Sequence, residues 1–182
     1  MAKDHRGADD AERPIPAWLD GVLTPVGKLE VHQRGLRHKA VSVFVLRDGL
    51  LLLQRRAAGK YHTPGLWANT CCTHPDWDES GADCAVRRLR EELGIEGLEV
   101  EPRGTVEYRA DVGGGLTEHE VVEMFAAQAP DGLEVRPDPA EVMEVRWIAP
   151  EALADEVAAR PEAFVPWLRI YLDRHAAMIF GD

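Results

Sequence analysis

Two runs of strand-forming residues flank an Asp-Gly pair, and this feature constrains the fold of the chain more than any other. The first run reads KAVSVFVLR, the pair is Asp48 and Gly49, and the second run reads LLLLQRR. Asp-Gly supplies the positive φ angles that a tight hairpin turn requires. The sequence therefore predicts a β-hairpin centred on these two residues.

A helix is predicted over residues 79–94, after a long loop that is rich in Gly, Pro and polar residues. Gly94 stands where a C-terminal cap belongs. Apolar residues recur at helical spacing along the segment, namely Ala82, Ala85, Val86, Leu89 and Leu93. The length of the loop that precedes the helix indicates a functional segment and not a simple connection.

The rest of the chain alternates strand and helix signals. Turns and short strands are expected over residues 15–32, strands over 98–110, 118–129 and 141–149, and two helices interrupted near Pro161 at the end. Such an order indicates an α/β or α+β fold, a mixed β-sheet sandwich flanked by helices.

The domain organisation follows from length and composition. The chain has 182 residues, of which 45% are hydrophobic, which suffices for one domain with a sizeable core. We expect residues 15–182 to form a single catalytic domain and residues 1–14 to be a disordered tail. The charged N-terminus lacks the apolar region of a secretory signal, and no run is long enough to span a membrane. We therefore expect a cytoplasmic protein.

The charge distribution restricts the partners. Lys plus Arg number 21 against 32 Asp plus Glu, a formal net charge of −11, which argues against nucleic acid and anionic lipid. Basic residues nevertheless cluster at Arg55, Arg56 and Lys60 and again in the RRLR segment that begins at Arg87. Such clusters suit a small anionic substrate, and the alternative is solvated surface charge. The sequence indicates no protein partner.

Two of the three cysteines, Cys71 and Cys72, are adjacent, and a disulfide between them is the weakest interpretation because it would be strained. A metal ligand, a reactive thiol and a buried apolar side chain remain as alternatives. If the segment is extended, Cys72 and His74 point to the same side and Cys71 points away. An odd number of cysteines without framework spacing predicts free thiols in a reducing compartment.

A candidate metal site combines histidines with two carboxylates. Glu118 and Glu120 lie two residues apart in a predicted strand, so their side chains share one face. The alternative is that one carboxylate faces solvent because the strand is an edge strand or is bulged. With His32, His38 and His74 they form a five-ligand set that favours octahedral Mn²⁺ or Mg²⁺. The remaining histidines are interpreted as surface or satisfied core residues, namely His5, His62, His119 and His175.

The predicted helix resembles the Nudix box, whose usual form is G-x5-E-x7-R-E-U-x-E-E-x-G-U with U apolar. The matching positions are Glu79, Arg87, Leu89, Glu91, Glu92, Gly94 and Ile95. Two residues depart from the pattern. Thr73 replaces the first Gly, and Arg88 replaces a metal-binding Glu, which argues against ordinary Nudix pyrophosphate hydrolysis.

Together with this altered box, the motifs NTCCTHP, EHEV, EYRA and PWL resemble the type I isopentenyl-diphosphate isomerases over nearly the whole chain. The resemblance implies a Nudix-like domain that converts isopentenyl diphosphate to dimethylallyl diphosphate through protonation and deprotonation of carbon. It implies that Cys72 and Glu120 are acid and base groups on opposite sides, that Tyr108 positions Glu120, and that Trp167 stabilises the carbocation. From the residues alone, Trp167 would be a core residue of the last helix.

The same resemblance implies two metal sites and a diphosphate site. His32, His38, His74, Glu118 and Glu120 would hold one divalent ion, although the spacing from His32 to His38 is one residue shorter than the family leads us to expect. A Mg²⁺ ion bridging the diphosphate would bind Glu92 and the backbone carbonyl of Cys72. The diphosphate would bind a set of basic residues, namely Lys28, Arg56, Lys60 and Arg88.

Cys71 and Cys84 receive no catalytic role in this interpretation, and Cys84 is expected to be a small buried apolar residue. Two alternatives remain from other functional classes. One is a Nudix hydrolase of a nucleoside or other organic diphosphate, against which Arg88 argues. The other is a diphosphate-binding module without catalytic activity, which would have no need of a thiol facing a carboxylate.

Overall fold

The computed structural model describes residues 11–181, in which nine strands form one mixed sheet flanked by helices. The strands are β1 (Pro14–Leu19), β2 (Val22–Gly27), β3 (His38–Arg47), β4 (Leu50–Arg56), β5 (Trp67–Ala68), β6 (Cys71–Thr73), β7 (Glu101–Gly113), β8 (Leu116–Gln128) and β9 (Val142–Ile148). The helices are α1 (Lys28–Arg34), α2 (Gly81–Leu93), α3 (Pro150–Ala159), α4 (Pro166–Arg174) and α5 (Ala176–Phe180), with a 3₁₀ turn at Pro161–Ala163. The predicted fold class is confirmed.

The predicted hairpin joins β3 to β4 and then opens. Asp48 and Gly49 have φ angles of 51° and 77°, as a tight hairpin turn requires. Only two residue pairs link β3 to β4, after which β3 runs parallel to β8 and β4 pairs with β9. The hairpin therefore divides the sheet into two parts, with β3 and β8 at the centre of one of them.

The predicted helix is also confirmed. Ser80 caps α2 by accepting a hydrogen bond from the backbone N–H of Asp83, and Gly94 ends it with a left-handed φ of 61°. The predicted apolar stripe was partly wrong, because Ala82 and Val86 are exposed. The buried arc of α2 instead centres on other positions, namely Cys84, Ala85, Leu89 and Leu93.

Two further differences concern short helices. Residues 15–32 contain the predicted short strands, but also α1, which ends at Gly35 with a left-handed φ of 60°. The C-terminal region contains α5 in addition to the two predicted helices. The first ten residues of the tail predicted over residues 1–14 lie outside the described residues. At its other end, Pro14 already belongs to β1, where it pairs with Gly27.

Apolar side chains pack on both faces of β3. Phe44 faces a core that includes Leu168 and Tyr171 of α4, whereas Val43 faces a core that includes Leu89 of α2. Covering on both faces explains why this strand reads as a continuous apolar run. Among the helices of residues 11–181, none combines the length and the apolar character needed to cross a bilayer.

Arg87 ties the end of the long loop to α2. Its Nε donates to Oε1 of Glu79 at 2.6 Å and its Nη2 donates to Oε2 at 2.7 Å, while Nη1 donates to Glu91 at 3.1 Å. Oε2 of Glu79 also accepts from the backbone N–H of Asp76 at 2.9 Å. The hydrogen bonds from Arg87 are the main reason that the pKa of Glu79 is lowered to about 2.

Glu79→Gln should lower the free energy of unfolding by about 1–3 kcal/mol at pH 7, because the charge of the bidentate pair is lost. The stabilisation is complete above pH 4.5 and is lost as the pH falls through the pKa of the folded state, near 2. Urea unfolding should therefore give a difference about a third to a half smaller at pH 3.5 than at pH 7. A pH-independent difference would contradict this account.

Candidate active site

A single pocket collects most of the residues predicted for the site. Of the thirteen predicted residues, ten line it, namely Lys28, Arg56, Lys60, Cys72, His74, Arg88, Glu92, Glu118, Glu120 and Trp167. The other three are His32, His38 and Tyr108, which are buried directly behind Glu118 and Glu120. The structure therefore brings the whole predicted set together.

Glu118 and Glu120 project from one face of β8, as strand alternation predicts, and both are buried, with 2% and 7% of their surface exposed. The alternative in which one carboxylate faces solvent is therefore wrong. The two strands beside β8 place a polar residue directly opposite Glu120 on each side. Tyr108 lies opposite Glu120 in β7 and donates its hydroxyl proton to Oε2 at 2.6 Å. His38 lies opposite Glu120 in β3.

The rings of His32 and His38 are held in a defined orientation. Nδ1 of His32 lies 2.6 Å from the carbonyl oxygen of Lys28, and Nδ1 of His38 lies 2.8 Å from that of Leu36. A carbonyl can only accept, so each Nδ1 carries a proton, and Nε2 of each ring faces the carboxylates of the site. This arrangement is typical of metal-binding histidines.

Four buried polar atoms face one another at the centre of the site. They are Nε2 of His32, His38 and His74 and Oε2 of Glu118. Each of these four residues offers one ligand atom that lies within 4.8 Å of those of the other three. Although His32 Nε2 approaches Glu118 Oε2 to 3.1 Å, none of the four has a hydrogen-bond partner of acceptable geometry among residues 11–181. Buried polar atoms are costly without a partner, and three imidazoles with a carboxylate are a good donor set for a divalent metal. The residues therefore fit a metal ion.

Glu120, the fifth predicted ligand, lies beside this group of four. Its Oε1 is 3.2 Å from Nε2 of His74 and 3.6 Å from Nε2 of His38. Burial and the charge of Glu118 oppose ionisation of Glu120, but the contacts with His38 and His74 outweigh them and lower its pKa.

The two adjacent cysteines point in opposite directions, as the extended segment predicts. Cys71 is fully buried in the core beneath α2, whereas Cys72 lines the pocket together with His74. Within residues 11–181, which include all three cysteines, each cysteine is a free thiol. One face of β6 therefore packs in the core, and the other face lines the pocket.

Asn69 fixes the orientation of the Cys72 thiol. Its Nδ2 donates to the carbonyl oxygens of Val43 and Cys71, both at 3.1 Å, so Oδ1 must be the atom that faces Cys72. Sγ of Cys72 donates to this Oδ1 at 2.8 Å, and Oγ of Ser42 lies 3.3 Å from Sγ. Burial, more than the neighbouring Glu120, raises the pKa of Cys72 to about 12, so the thiol is protonated at pH 7.

The basic wall of the pocket is already balanced by carboxylates. Nη2 of Arg88 donates to Glu92 Oε1 at 2.6 Å and to Glu141 Oε2 at 3.3 Å, and Lys60 binds the same oxygen of Glu141. Burial opposes ionisation of Glu92, but the charges of Arg88 and Lys60 outweigh burial and lower its pKa. Elsewhere on this wall, the guanidinium of Arg56 lies 5.5 Å from the ring centre of Trp167.

His62 corrects the sequence interpretation. It was expected to be a surface or satisfied core histidine, but it lines the pocket, is 7% exposed, and places Nε2 3.0 Å from Oε1 of Glu118. Its other ring nitrogen, Nδ1, is buried and has no hydrogen-bond partner within residues 11–181. His119 is partly exposed and contacts Glu107 at 3.2 Å, away from the pocket. His5 lies outside the described residues.

Sequence reasoning also missed four other residues that contact the site, namely Ser42, Asn69, Glu141 and Tyr171. Oγ of Ser42 lies 3.0 Å from the hydroxyl oxygen of Tyr171 and 3.3 Å from Sγ of Cys72, so Ser42 links the two residues. A lone serine inside the apolar run of β3 was a detectable signal. Asn69 begins the NTCCTHP motif but was assigned no role, and Glu141 and Tyr171 carried no comparable signal.

Comparison with known proteins agrees with this geometry. Residues 36–168 match the model of the NUDIX domain. The chain is 67% identical to the isopentenyl-diphosphate Delta-isomerase of Dinoroseobacter shibae, over 92% of this chain and 95% of that protein. It is also 67% identical to the isopentenyl-diphosphate Delta-isomerase of Cereibacter sphaeroides strain ATCC 17025, over 92% and 94%.

A solved structure supports the fold. A protein of Deinococcus radiodurans superposes with a TM-score of 0.71 over 90% of this chain and 98% of that one, at 17% identity. At that identity the likeness concerns the fold alone. From the domain match and the two close relatives, the chain belongs to the Nudix superfamily and, within it, to the family of the isopentenyl-diphosphate Delta-isomerases.

Proposed function

We propose that this protein isomerises isopentenyl diphosphate to dimethylallyl diphosphate and so supplies isoprenoid precursors. The observation that carries the proposal is a protonated thiol, Cys72, lining the same buried pocket as a carboxylate, Glu120, that Tyr108 holds in place. The family membership supports the same reaction. A hydrolase or a binding module has no use for such a pair.

The reaction moves a double bond by adding one proton and removing another. A proton adds to the terminal CH₂ of the alkene, which leaves a tertiary carbocation on the neighbouring carbon. A proton is then lost from the CH₂ on the other side of that carbon, and the new double bond forms there. Cys72 and Glu120 are the proposed acid and base groups on the two faces of the substrate.

The surroundings of the pair suit a carbocation. Trp167 lines the pocket and is only 3% exposed, and an aromatic face attracts a cation. Asn69 and Ser42 hold the thiol at 2.8 Å and 3.3 Å, which keeps its position constant through the reaction. Water must be excluded from this part of the pocket during the reaction, because it would otherwise attack the cation.

His32, His38, His74, Glu118 and Glu120 would hold one divalent ion, Mn²⁺ or Mg²⁺. The unpartnered nitrogens of the three histidines and the unpartnered oxygen of Glu118 support this assignment. When bound, the ion would offset the negative charge of the two buried carboxylates.

A second ion, Mg²⁺, would join the diphosphate to Glu92 and to the backbone carbonyl of Cys72. Both residues line the pocket next to the basic wall. The proposed diphosphate ligands on that wall are Lys28, Arg56, Lys60 and Arg88. An isoprenoid diphosphate places its charged end there and its apolar end beside Cys72 and Trp167. The need for a free thiol supports a reducing compartment, and we propose a cytoplasmic location.

Proton NMR in D₂O tests the reaction directly. Isopentenyl diphosphate incubated with the protein and Mg²⁺ should yield dimethylallyl diphosphate with solvent deuterium in a methyl group, without release of phosphate. Deuterium enters because the added proton comes from groups that exchange with solvent. Accumulation of phosphate or a monophosphate with an unexchanged alkene would support the hydrolase alternative instead.

Cys72→Ala and Cys71→Ala form a matched pair. Cys72→Ala should lower kcat by several orders of magnitude with a nearly unchanged KM, because the diphosphate ligands remain. Cys71→Ala should leave kcat within about threefold and lower stability by about 1 kcal/mol through the loss of buried contacts. Steady-state kinetics with urea unfolding measures both quantities. An equal loss of kcat in the two variants would remove Cys72 from its proposed role.

His74→Ala should lower the amount of tightly bound divalent metal along with activity, because it removes one of the four converging ligand atoms. His119→Ala is the control, since His119 contacts Glu107 away from the pocket. Elemental analysis of the purified proteins measures metal per chain. Unchanged metal content in His74→Ala would remove His74 from the ligand set.

A further inference from the structure

His62 is a buried imidazole in the pocket to which neither the sequence interpretation nor the proposed mechanism gives a role. Its Nε2 lies 3.0 Å from Oε1 of Glu118. The other oxygen of the same carboxylate, Oε2, is the one that faces Nε2 of His32 at 3.1 Å and Nε2 of His38 at 3.5 Å. The two oxygens of Glu118 therefore face different partners.

The contact indicates which nitrogen of His62 carries a proton. Nδ1 has no partner within residues 11–181, and a carboxylate oxygen can only accept, so a hydrogen bond across the 3.0 Å contact requires the proton on Nε2. With Nε2 used in this way, His62 is not available as a ligand through that atom. It also lies outside the group of four residues whose ligand atoms converge within 4.8 Å. His62 thus contacts the ligand Glu118 and not the centre of the site.

The loop between β4 and β5 holds the ring in a fixed position. The ring centre of His62 lies 4.5 Å from that of Tyr61, 5.4 Å from that of His32 and 6.1 Å from that of Trp167. The next residue, Thr63, has a φ of 47°, which a β-branched residue rarely adopts and which costs about 1–3 kcal/mol. The surrounding contacts therefore maintain a strained backbone where the ring enters the pocket.

We propose that His62 is a positioning residue of the metal site, which donates from Nε2 to Oε1 of Glu118 and thereby presents Oε2 to the ion. The inference rests on the proposed metal site formed by His32, His38, His74 and the two carboxylates. Hydrogen bonds to ligating groups fix the orientation of the ligand, and their loss weakens metal binding by about 10–100-fold. His62 thus adds a fourth imidazole that acts through Glu118.

The test compares two substitutions that differ by one methylene. The side-chain nitrogen of Gln reaches about as far as Nε2 of His, whereas that of Asn falls short of it. His62→Asn should weaken Mn²⁺ binding about 10–100-fold, and His62→Gln should bind within about threefold of the unsubstituted protein. Electron paramagnetic resonance of free Mn²⁺, titrated into chelator-treated protein, measures both affinities. His119→Asn, on the same strand as Glu118 but facing Glu107, is the control and should bind normally.

Each other outcome overturns the proposal. Normal Mn²⁺ affinity in both variants would show that His62 does not act on the site. Equal losses in both would show that the imidazole ring itself is required, as a ligand or by packing, and not its hydrogen bond. Failure of the proposed metal site is distinct, because then the unsubstituted protein would bind no tight Mn²⁺ and His74→Ala would change nothing. Circular dichroism of the metal-free proteins checks that all variants fold.

Discussion

The burial of two neighbouring carboxylates, Glu118 and Glu120, is the constraint on which the site depends. Two negative charges on the same face of one strand repel each other, and burial removes the water that would otherwise stabilise them. Both are almost fully buried, so the fold must supply compensating groups from every direction. The parallel partner β3 brings His38, the antiparallel partner β7 brings Tyr108, and α1 brings His32. The arrangement of elements around β8 is thus set by charge as well as by packing.

The same strands also position the thiol. Ser42 lies on β3 four residues after His38, and it contacts both Cys72 of β6 and Tyr171 of α4. Because His38 and Ser42 share one face of β3, the strand contacts the proposed metal site at one point and the thiol at another. The distance between the proposed acid and base groups is therefore determined by a single rigid element, which suits a reaction that needs both at fixed positions.

The sequence predicted features that depend on local patterns better than features that depend on contacts between residues distant in sequence. The Asp48-Gly49 turn and the helix ending at Gly94 were predicted from local patterns, and both predictions are confirmed. Strand alternation placed Glu118 and Glu120 on one face and separated Cys71 from Cys72, since the period of two holds wherever the backbone is extended. The grouping of His32, His38 and His74 with the carboxylates had no local pattern behind it, because these residues lie on separate elements. It was inferred from the chemistry of the donor atoms, and the family resemblance implied the same set.

The residues and elements that the sequence failed to predict lie where neither helical nor strand periodicity applies. His62 lies in a loop beside Thr63, which has a left-handed backbone, and a β-branched residue gives no sign of that conformation in a sequence. Helix α1, which carries His32, has only seven residues and follows a Pro- and Gly-rich hairpin, so its helical signal was hidden. Glu141 precedes β9, and only the tertiary fold brings it to Lys60 and Arg88.

Arg88 shows how one substitution in the Nudix box changes the chemistry that the scaffold favours. A carboxylate at this position would add to Glu92 and make the helix a site that gathers metal ions around a diphosphate, as hydrolysis requires. Arg88 instead donates to Glu92 and Glu141, so it offsets the negative charge of this wall, and it also lines the pocket. Hydrolysis needs activated water at the diphosphate, whereas carbocation chemistry needs water to be absent. In the proposed mechanism the basic wall binds the diphosphate and the part of the pocket lined by Cys72 and Trp167 excludes water, which favours the second reaction over the first.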